Sequence, residues 1–577
     1  MATGSGVLAG LDPDQRAAAE VADGPLLIVA GPGTGKTRTV THRLAHLVLE
    51  RDVPADACLA ITFTRRAAEE MTERLQALIG AAARQMTVAT FHSFGLQILR
   101  EHHELLGLDA DFGLADAARQ HEILTAITGD ERSARRVKAQ LSPARRGGQS
   151  DPETEAVLAE YLAGLRAANL VDFDDLVVLA VQLLTEHPGV AEQYRQRYQW
   201  ITVDEYQDVD ELQYRLLRLI APAEANLTAI GDPDQAIYSF RGADVGFFLR
   251  FEQDYPAAPV LALTRNYRSG AHILTGATRA IAPSTLVTDR QLHPAANREA
   301  HRIVRHQASD ERAEAAFVAR TIDQLLGGAS FHSLDSGRVL GDGPGGIGFN
   351  DIAVLYRTDA QSRAVLDELT RCGLPVQKRS HDRLANRPGV ELLVRELLHV
   401  GDRTGPVADQ LRMAAKAVAD IVTEDTRHDI HTAVELLGPL AQRCGDDVQQ
   451  FCREVLLGAE VDTLDPRAEA ISLLTLHAAK GLEFPVVFLV GCEDGLLPLR
   501  WPGTEPTGAE VAEERRLFFV GMTRAQDHLY LTHATRRTIR GGTQDRTRSP
   551  FLTGLGDTVT ESETPARRPR PAQLTLM

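Results

Sequence analysis

Lys36 and Thr37 close the octapeptide AGPGTGKT (30–37), which directly follows the apolar run Pro25–Ala30. A strand that ends in glycines and gives way to a helix can wrap backbone N–H groups around a triphosphate. Gly31, Gly33 and Gly35 leave room where a side chain would collide with phosphate oxygens. Lys36 is placed for the β- and γ-phosphates and the Thr37 hydroxyl for Mg²⁺, so the segment points to ATP with Mg²⁺. It departs from G-x-x-x-x-G-K-[ST] only at the first glycine, which is Ala30. Such chemistry also needs carboxylates, and VDEYQD (203–208) follows the β-type run Trp200–Thr202. There Asp204 would hold the metal and Glu205 would polarise the attacking water.

The same grammar of an apolar run followed by polar residues recurs along the chain. It is found at 59–71, 87–94, 227–243, 261–269, 352–363, 471–484 and 515–531. Strand-length runs each followed by a helical stretch describe repeated βα units and parallel sheets. Two blocks result, about 25–255 and about 256–550, with the phosphate-binding loop in the first. A chain of 577 residues exceeds a single core and should divide into several domains. The five cysteines (58, 372, 444, 452 and 492) form no C-x-x-C pair, which argues against zinc or iron–sulfur and for a reducing compartment. No apolar run is long enough to span a bilayer and no signal sequence opens the chain, so the expected location is cytoplasmic. A net charge of −17 opposes polyanion binding overall but not in a local basic groove.

The ordered set AGPGTGKT, ITFTRRAA, TFHS, VDEYQD, IGDPDQAIYSFRGA, NYRS, TLHAAKGLEF and FVGMTRA resembles superfamily 1 DNA helicases of the UvrD/Rep/PcrA family, over roughly residues 8–550. The resemblance implies an α/β chain with two RecA-like P-loop NTPase cores, parallel sheets flanked by helices, and two mainly helical accessory inserts. It also implies ATP in the cleft between the cores and single-stranded DNA across their tops, with 3′-to-5′ translocation. The corresponding boundaries are 1–94 with 170–255 for the first core and 95–169 for its insert. They are 256–377 with 469–555 for the second core, 378–468 for a reduced insert, and 556–577 for a disordered tail.

Residue roles follow from the same resemblance. Gln15 in LDPDQ would read adenine, Tyr267 would stack on it, Arg38 would contact the nucleotide and Glu483 the ribose. Gln235 would sense the γ-phosphate, and Arg268 and Arg524 would stabilise charge on the transferring phosphoryl group. Phe63, Thr64, Thr90, His92, Tyr238, Phe240, Arg241, Arg357, Thr475 and His477 match positions lining the single strand, where aromatic stacking tolerates any base. Phe240 stands where several relatives carry tryptophan.

Three segments depart from the pattern. Residues 378–468 carry helix-like spacing, as at Val390–Leu398, but at Gly401–Thr404 hold at best a remnant of the glycine-containing hairpin that grips duplex DNA. In the first insert, Arg132, Arg135, Arg136, Arg145 and Arg146 form a basic cluster that could face the DNA backbone or simply solvent. Gly327–Gly348, with eight glycines, reads as a surface loop. Beyond about Thr558 the composition turns polar and proline-rich. The final Gln573, Leu574, Thr575, Leu576 and Met577 resemble the pentapeptide by which bacterial repair proteins dock on the replication sliding clamp. The expected activity is an ATP-dependent 3′-to-5′ DNA helicase or translocase of repair or recombination, acting on single strands and single/double-strand junctions. Monomer and dimer both stay open. The alternative is a DNA-dependent ATPase that strips proteins from single strands with little unwinding.

Overall fold

The computed structural model describes residues 6–145, 151–295, 301–327, 346–380, 384–399, 405–420, 422, 424–458, 463–464, 468–501, 503–539 and 542–562. The chain divides into two compact units. The first comprises Met1–Arg268, Thr285–Ala295 and Gln377–Ala468; the second comprises Ser269–Ser284, Ala296–Val376 and Glu469–Met577.

The first unit is built on a six-stranded parallel sheet. Its strands run in the order Thr87–Thr90, Cys58–Thr62, Trp200–Val203, Asn226–Gly231, Leu26–Ala30 and Val260–Leu263. Cys58–Thr62 and Trp200–Val203 are buried along their whole length, as strands covered by helices on both faces must be. Helix Lys36–Glu50 packs on one face, and its Arg43 is a buried tie. Arg43 donates to the Ala19 and Val21 carbonyls and to Thr228 Oγ1, and burial lowers its pKa to about 10.

Strand Val260–Leu263, expected in the second core from residue 256 onward, instead pairs with Leu26–Ala30 at the edge of the first sheet. An isolated LALT run says strand but not which sheet, because pairing is non-local. The boundary expected at 94/95 also shifts, since it would cut helix Phe91–Glu101. That helix packs so closely on Asp175–Glu186 that a Cβ on Gly95 would stand 2.1 Å from the Leu176 carbonyl oxygen.

The first insert is helical as expected, with helices Ala117–Thr128, Glu131–Arg145 and Pro152–Ala167 around Leu124, Val137, Tyr161 and Leu165. Its arginines do not form one cluster. Arg132, Arg135 and Arg136 are exposed, but Arg145 is buried and holds Asp172 and Asp175. A cation between two buried carboxylates anchors the insert to the core and is withdrawn from any nucleic-acid face; Arg146 lies outside the described residues. The second insert has helices Val390–His399, Val407–Ala419, Glu424–Arg443 and Val448–Leu457 around Leu393, Leu411, Leu437 and Phe451. It groups with the first unit rather than with the core it interrupts, and Glu454 lies 3.9 Å from Arg65. Gly401–Thr404 and most of Gly327–Gly348 lie outside the described residues.

The second unit carries a sheet whose strands run in the order Ile471–Thr475, Ile352–Tyr356, Phe484–Leu489, Ala525–Ala534, Ile303–Ala308 and Val559–Glu561. Two expected βα units differ here: Ile471–Thr475 is followed by turns, and helix Gly508–Met522 precedes its strand Ala525–Ala534. In the first unit, likewise, the strand ending at Gly231 is followed by 3₁₀ turns. Val559–Glu561 pairs with Ile303–Arg305, so the ordered chain runs past the tail boundary expected at 556. Under the sheet, Arg537 bridges Glu314 and Glu493, all three buried. Glu314 also accepts from Thr532 Oγ1 and the Gly491 N–H.

Gly95→Ala should push apart the helices Phe91–Glu101 and Asp175–Glu186, because the obstructing atom is backbone. The expected loss is about 1–3 kcal/mol, read as a lowered thermal midpoint by calorimetry; an unchanged midpoint would mean the helix pair yields.

Candidate nucleotide site and nucleic-acid face

In a parallel sheet every strand ends at the same edge, so the loops that follow the first unit's strands gather there. Strand Leu26–Ala30 delivers Gly31–Gly35, and helix Lys36–Glu50 begins at a Gly35 N-cap without a side-chain cap. The neighbouring helices Arg65–Ile79 and Phe91–Glu101 are capped by Thr64 and Thr90. An uncapped first turn beside Lys36 presents N–H groups and the positive end of the helix dipole to an anion. The three glycines serve different ends. Gly33 and Gly35 have φ of +67° and +82°, and a Cβ on Gly33 would lie 2.5 Å from Arg268 Cβ. Gly31 has no such backbone, but a Cβ there would meet Leu292 Cδ2 at 2.6 Å.

The loop's carbonyls are tied back. Asn266 Nδ2 donates to Pro32 O at 2.6 Å, Tyr267 N to Gly33 O at 2.8 Å and Gln15 Nε2 to Thr34 O at 2.9 Å. Gln15 is 2% exposed, whereas Tyr267 is 42% exposed with its hydroxyl donating to Asp12 Oδ2. Asp12 also caps helix Pro13–Glu20 by accepting from the Gln15 N–H, so one carboxylate brings the two adenine candidates together. Arg38 is exposed and donates to Gly10 O.

Two strands away, Asp204 and Glu205 follow Trp200–Val203. Asp204 is buried and its Oδ1 accepts from the Glu205 N–H at 2.8 Å. Glu205 adopts φ +53°, an uncommon value for a non-glycine residue, which turns its carboxylate toward the phosphate loop. Its Oε1 lies 3.8 Å from Lys36 Nζ. Thr37 on the first helical turn and the buried Asp204 supply a hydroxyl and a carboxylate, an oxygen donor pair that suits Mg²⁺. Gln207 donates to Glu205 and accepts from the Asp232 N–H, joining this loop to the one after Asn226–Gly231. In that second loop Gln235, 2% exposed, donates to Asp232 Oδ2 at 2.8 Å. Arg290 pairs with Asp232 and Asp234. Burial raises the Asp234 pKa, and Arg290 opposes the rise.

The first unit thus brings together Gln15, Gly31, Gly33, Gly35, Lys36, Thr37, Asp204, Glu205, Gln235, Tyr267 and Arg268. Asp12, Gln207, Asp232, Asn266 and Arg290 were not singled out from the sequence. Asp12 carried the D-x-x-Q capping-box signal, and Gln207, Asp232 and Asn266 stand inside VDEYQD, IGDPDQ and NYRS, whereas Arg290 lies in none of the quoted segments. Arg524 lies in the second unit and is 2% exposed, its guanidinium donating to the Val520 and Leu482 carbonyls. Beside it Glu483 is exposed and accepts from Gln526.

The strand-lining candidates also sit at strand ends. In the first unit Phe63 packs edge-on against Phe91, and His92 stacks on Phe173 at 3.9 Å. Thr64 and Thr90 spend their hydroxyls as helix caps. Tyr238 and Phe240 are not strand-core residues. They stand on a 3₁₀ turn with ring centroids 6.1 Å apart, Phe240 is 65% exposed, and Arg241 lies within 5.9 Å of both rings. In the second unit Arg357 forms a two-pronged ion pair with Glu514, and Thr475 accepts from the Ala478 N–H. His477 follows in the same turn, so the three gather at adjacent strand ends, although the charge of Arg357 is balanced by Glu514. Gln573, Leu574, Leu576 and Met577 lie outside the described residues.

Gly33→Ala should weaken nucleotide binding at least tenfold, because the positive φ alone costs roughly 1–2 kcal/mol for a side chain before the collision with Arg268 is counted. Titration with a fluorescent ATP analogue reads the loss; unchanged affinity would remove this loop from the site.

Comparison with known proteins agrees with this geometry over nearly the whole chain. Residues 11–256 match the family model of the UvrD/REP helicase N-terminal domain, and residues 261–402 and 409–536 that of the UvrD-like helicase C-terminal domain. The ATP-dependent DNA helicase PcrA of Bacillus subtilis is 32% identical over 96% of this chain and 87% of its own length. The ATP-dependent DNA helicase UvrD1 of Mycobacterium tuberculosis is 32% identical over 95% and 85%, and PcrA of Staphylococcus aureus 29% over 97% and 88%. With both family models matched in order and the phosphate-loop and carboxylate segments folded onto one sheet edge, the chain belongs to the UvrD-like helicase family.

Proposed function

We propose that this protein is an ATP-dependent DNA helicase that moves 3′ to 5′ along single-stranded DNA and acts in repair or recombination. The observation that carries the reading is the segment Gly231–Ala243. It holds Gln235 in the carboxylate network and, three and five residues later, presents Tyr238 and Phe240 with Arg241 beside them. A change in the phosphate at Gln235 therefore reaches the base-stacking pair through a few residues of 3₁₀ turn. PcrA and UvrD1, to which the chain is similar, carry names that state ATP dependence and DNA helicase activity.

The chemistry follows from the groups in place. The uncapped helix turn and Lys36 bind the triphosphate, and Arg268, adjoining Gly33, adds positive charge beside the loop. Glu205 orients and deprotonates the attacking water. Thr37 and Asp204 would hold Mg²⁺, which neutralises phosphate charge when bound. Gln15 and Tyr267 would meet the base, and Gln235 the γ-phosphate. Arg38, Glu483 and Arg524 are further nucleotide contacts by resemblance. Bases would stack on Tyr238 and Phe240, each worth about 1–3 kcal/mol, with Phe63, His92, Arg357, Thr475 and His477 along the same strand. The compact four-helix second insert favours one other reading, a translocase that strips proteins from single strands and scarcely unwinds.

Strand displacement decides between them. A 3′-tailed duplex should be unwound, 5′-tailed and blunt duplexes should not, and Lys36→Ala should abolish turnover while single-strand binding stays measurable. DNA-stimulated hydrolysis without displacement would establish the translocase, and turnover by Lys36→Ala would refute the assigned site. We also propose that Gln573–Met577 dock on a sliding clamp. Their deletion should end capture by immobilised clamp and spare ATPase activity, and failure of the intact chain to bind clamp would refute this.

A further inference from the structure

Thr285–Ala295 belongs to the first unit although the segments on either side of it belong to the second. It runs behind the nucleotide loops as a strap. His293 N donates to Thr264 O and Ala295 N to Asn266 O, beside Tyr267 and Arg268. A Cβ on Gly31 would stand 2.6 Å from Leu292 Cδ2 and 3.3 Å from Arg290 Nη1, so the strap also touches the phosphate loop. Thr285 Oγ1 and Leu286 N both donate to the carboxylate of Asp234, at 2.6 and 2.7 Å. The Arg290 side chain is 6% exposed; Nη2 donates to Asp232 Oδ1 and Nε lies 2.9 Å from Asp234 Oδ2, with both carboxylates fully buried. From Asp232 the connections continue to Gln235 through Oδ2, and to Glu205 through the backbone N–H and Gln207.

We infer that Arg290 is a positioning residue for ATP hydrolysis, one that acts by fixing the amide of Gln235 through Asp232. The inference rests on the hydrolytic reading proposed above. Asp232 and Asp234 are two positions apart in one desolvated turn, where two anions repel strongly. A planar guanidinium can lie beside both at once: its Nη2 hydrogen bond sets the rotation of the Asp232 carboxylate, and its charge next to Asp234 offsets the repulsion between the two anions. With Asp232 Oδ1 held by Arg290 and by the Asp234 N–H, Oδ2 is the atom left to face Gln235. Without the bridge, one carboxylate takes up a proton or the turn opens, and Gln235 loses the acceptor that orients it. A lysine in its place would restore charge at a single point but not the planar group that lies beside both carboxylates.

The test uses the full chain with Arg290→Gln, Arg290→Lys, Gln235→Ala and the double variant Arg290→Gln/Gln235→Ala. Three quantities are read: kcat of DNA-stimulated ATP hydrolysis, affinity for a fluorescent ATP analogue, and thermal midpoint. Arg290→Gln should lower kcat on the order of 10²-fold, the loss that about 1 Å of misplacement produces, with analogue affinity unchanged. Arg290→Lys should fall between it and the unaltered protein. The double variant should turn over no more slowly than Gln235→Ala alone, because the arginine acts through that amide. Unchanged kcat in Arg290→Gln, losses that multiply in the double variant, or parallel loss of kcat and nucleotide affinity would each overturn the inference. Should Arg290→Gln fail to fold, Arg290→Lys carries the test, and an unaltered rate in that variant would overturn it. Absence of DNA-stimulated hydrolysis in the unaltered protein would instead refute the proposed function.

Discussion

Parallel pairing is the constraint on which the rest of each unit depends. Because the strands of the first sheet run the same way, the phosphate loop, the Asp204–Glu205 turn, the Gly231–Ala243 segment and the Tyr267–Arg268 segment all emerge at one edge. The central strands Cys58–Thr62 and Trp200–Val203 are buried on both faces, and the strand order interleaves distant parts of the chain. Leu26–Ala30 is flanked by Asn226–Gly231 and Val260–Leu263, some two hundred residues away. The chemistry is assembled by hydrogen-bonded register before any side chain is considered.

Buried charge then refines that assembly. Three arginines, Arg145, Arg290 and Arg537, each sit between two buried carboxylates. Desolvating such groups costs several kcal/mol per ion, which their attraction roughly offsets, so their value lies in fixed geometry more than in net stability. Arg145 fixes an insert to its core, Arg537 ties a helix to the second sheet, and Arg290 ties a strap to the nucleotide loops. An acidic chain thus spends several cations internally. The arginines left on the surface, such as Arg132, Arg135, Arg136 and the Arg241 beside its aromatic pair, are what a polyanion could meet.

Side-chain commitments also sort the strand-lining candidates. Thr64 and Thr90 already satisfy helix N–H groups, Arg357 is neutralised by Glu514, and His92 has one ring face on Phe173. Phe240 keeps most of its surface in solvent. Under the proposed function, the burden of gripping bases would therefore fall on the Tyr238–Phe240 pair more than a matched list of residues suggests.

The sequence by itself determined the local chemistry. A glycine loop after an apolar run and a carboxylate pair after another depend on neighbours within a few residues, and both were legible. So was the two-core organisation, through motif order. Tertiary structure decided what depends on partners far along the chain. It put Val260–Leu263 in the first sheet, grouped Gln377–Ala468 with the first unit, and withdrew Arg145 from the basic face. It also continued the fold past residue 556 by pairing Val559–Glu561 with Ile303–Arg305. Arg290 is the clearest case. No short-range pattern marks an arginine in TDRQLHP, and its role exists only because the fold lays that segment against Asp232 and Asp234, more than fifty residues earlier in the chain.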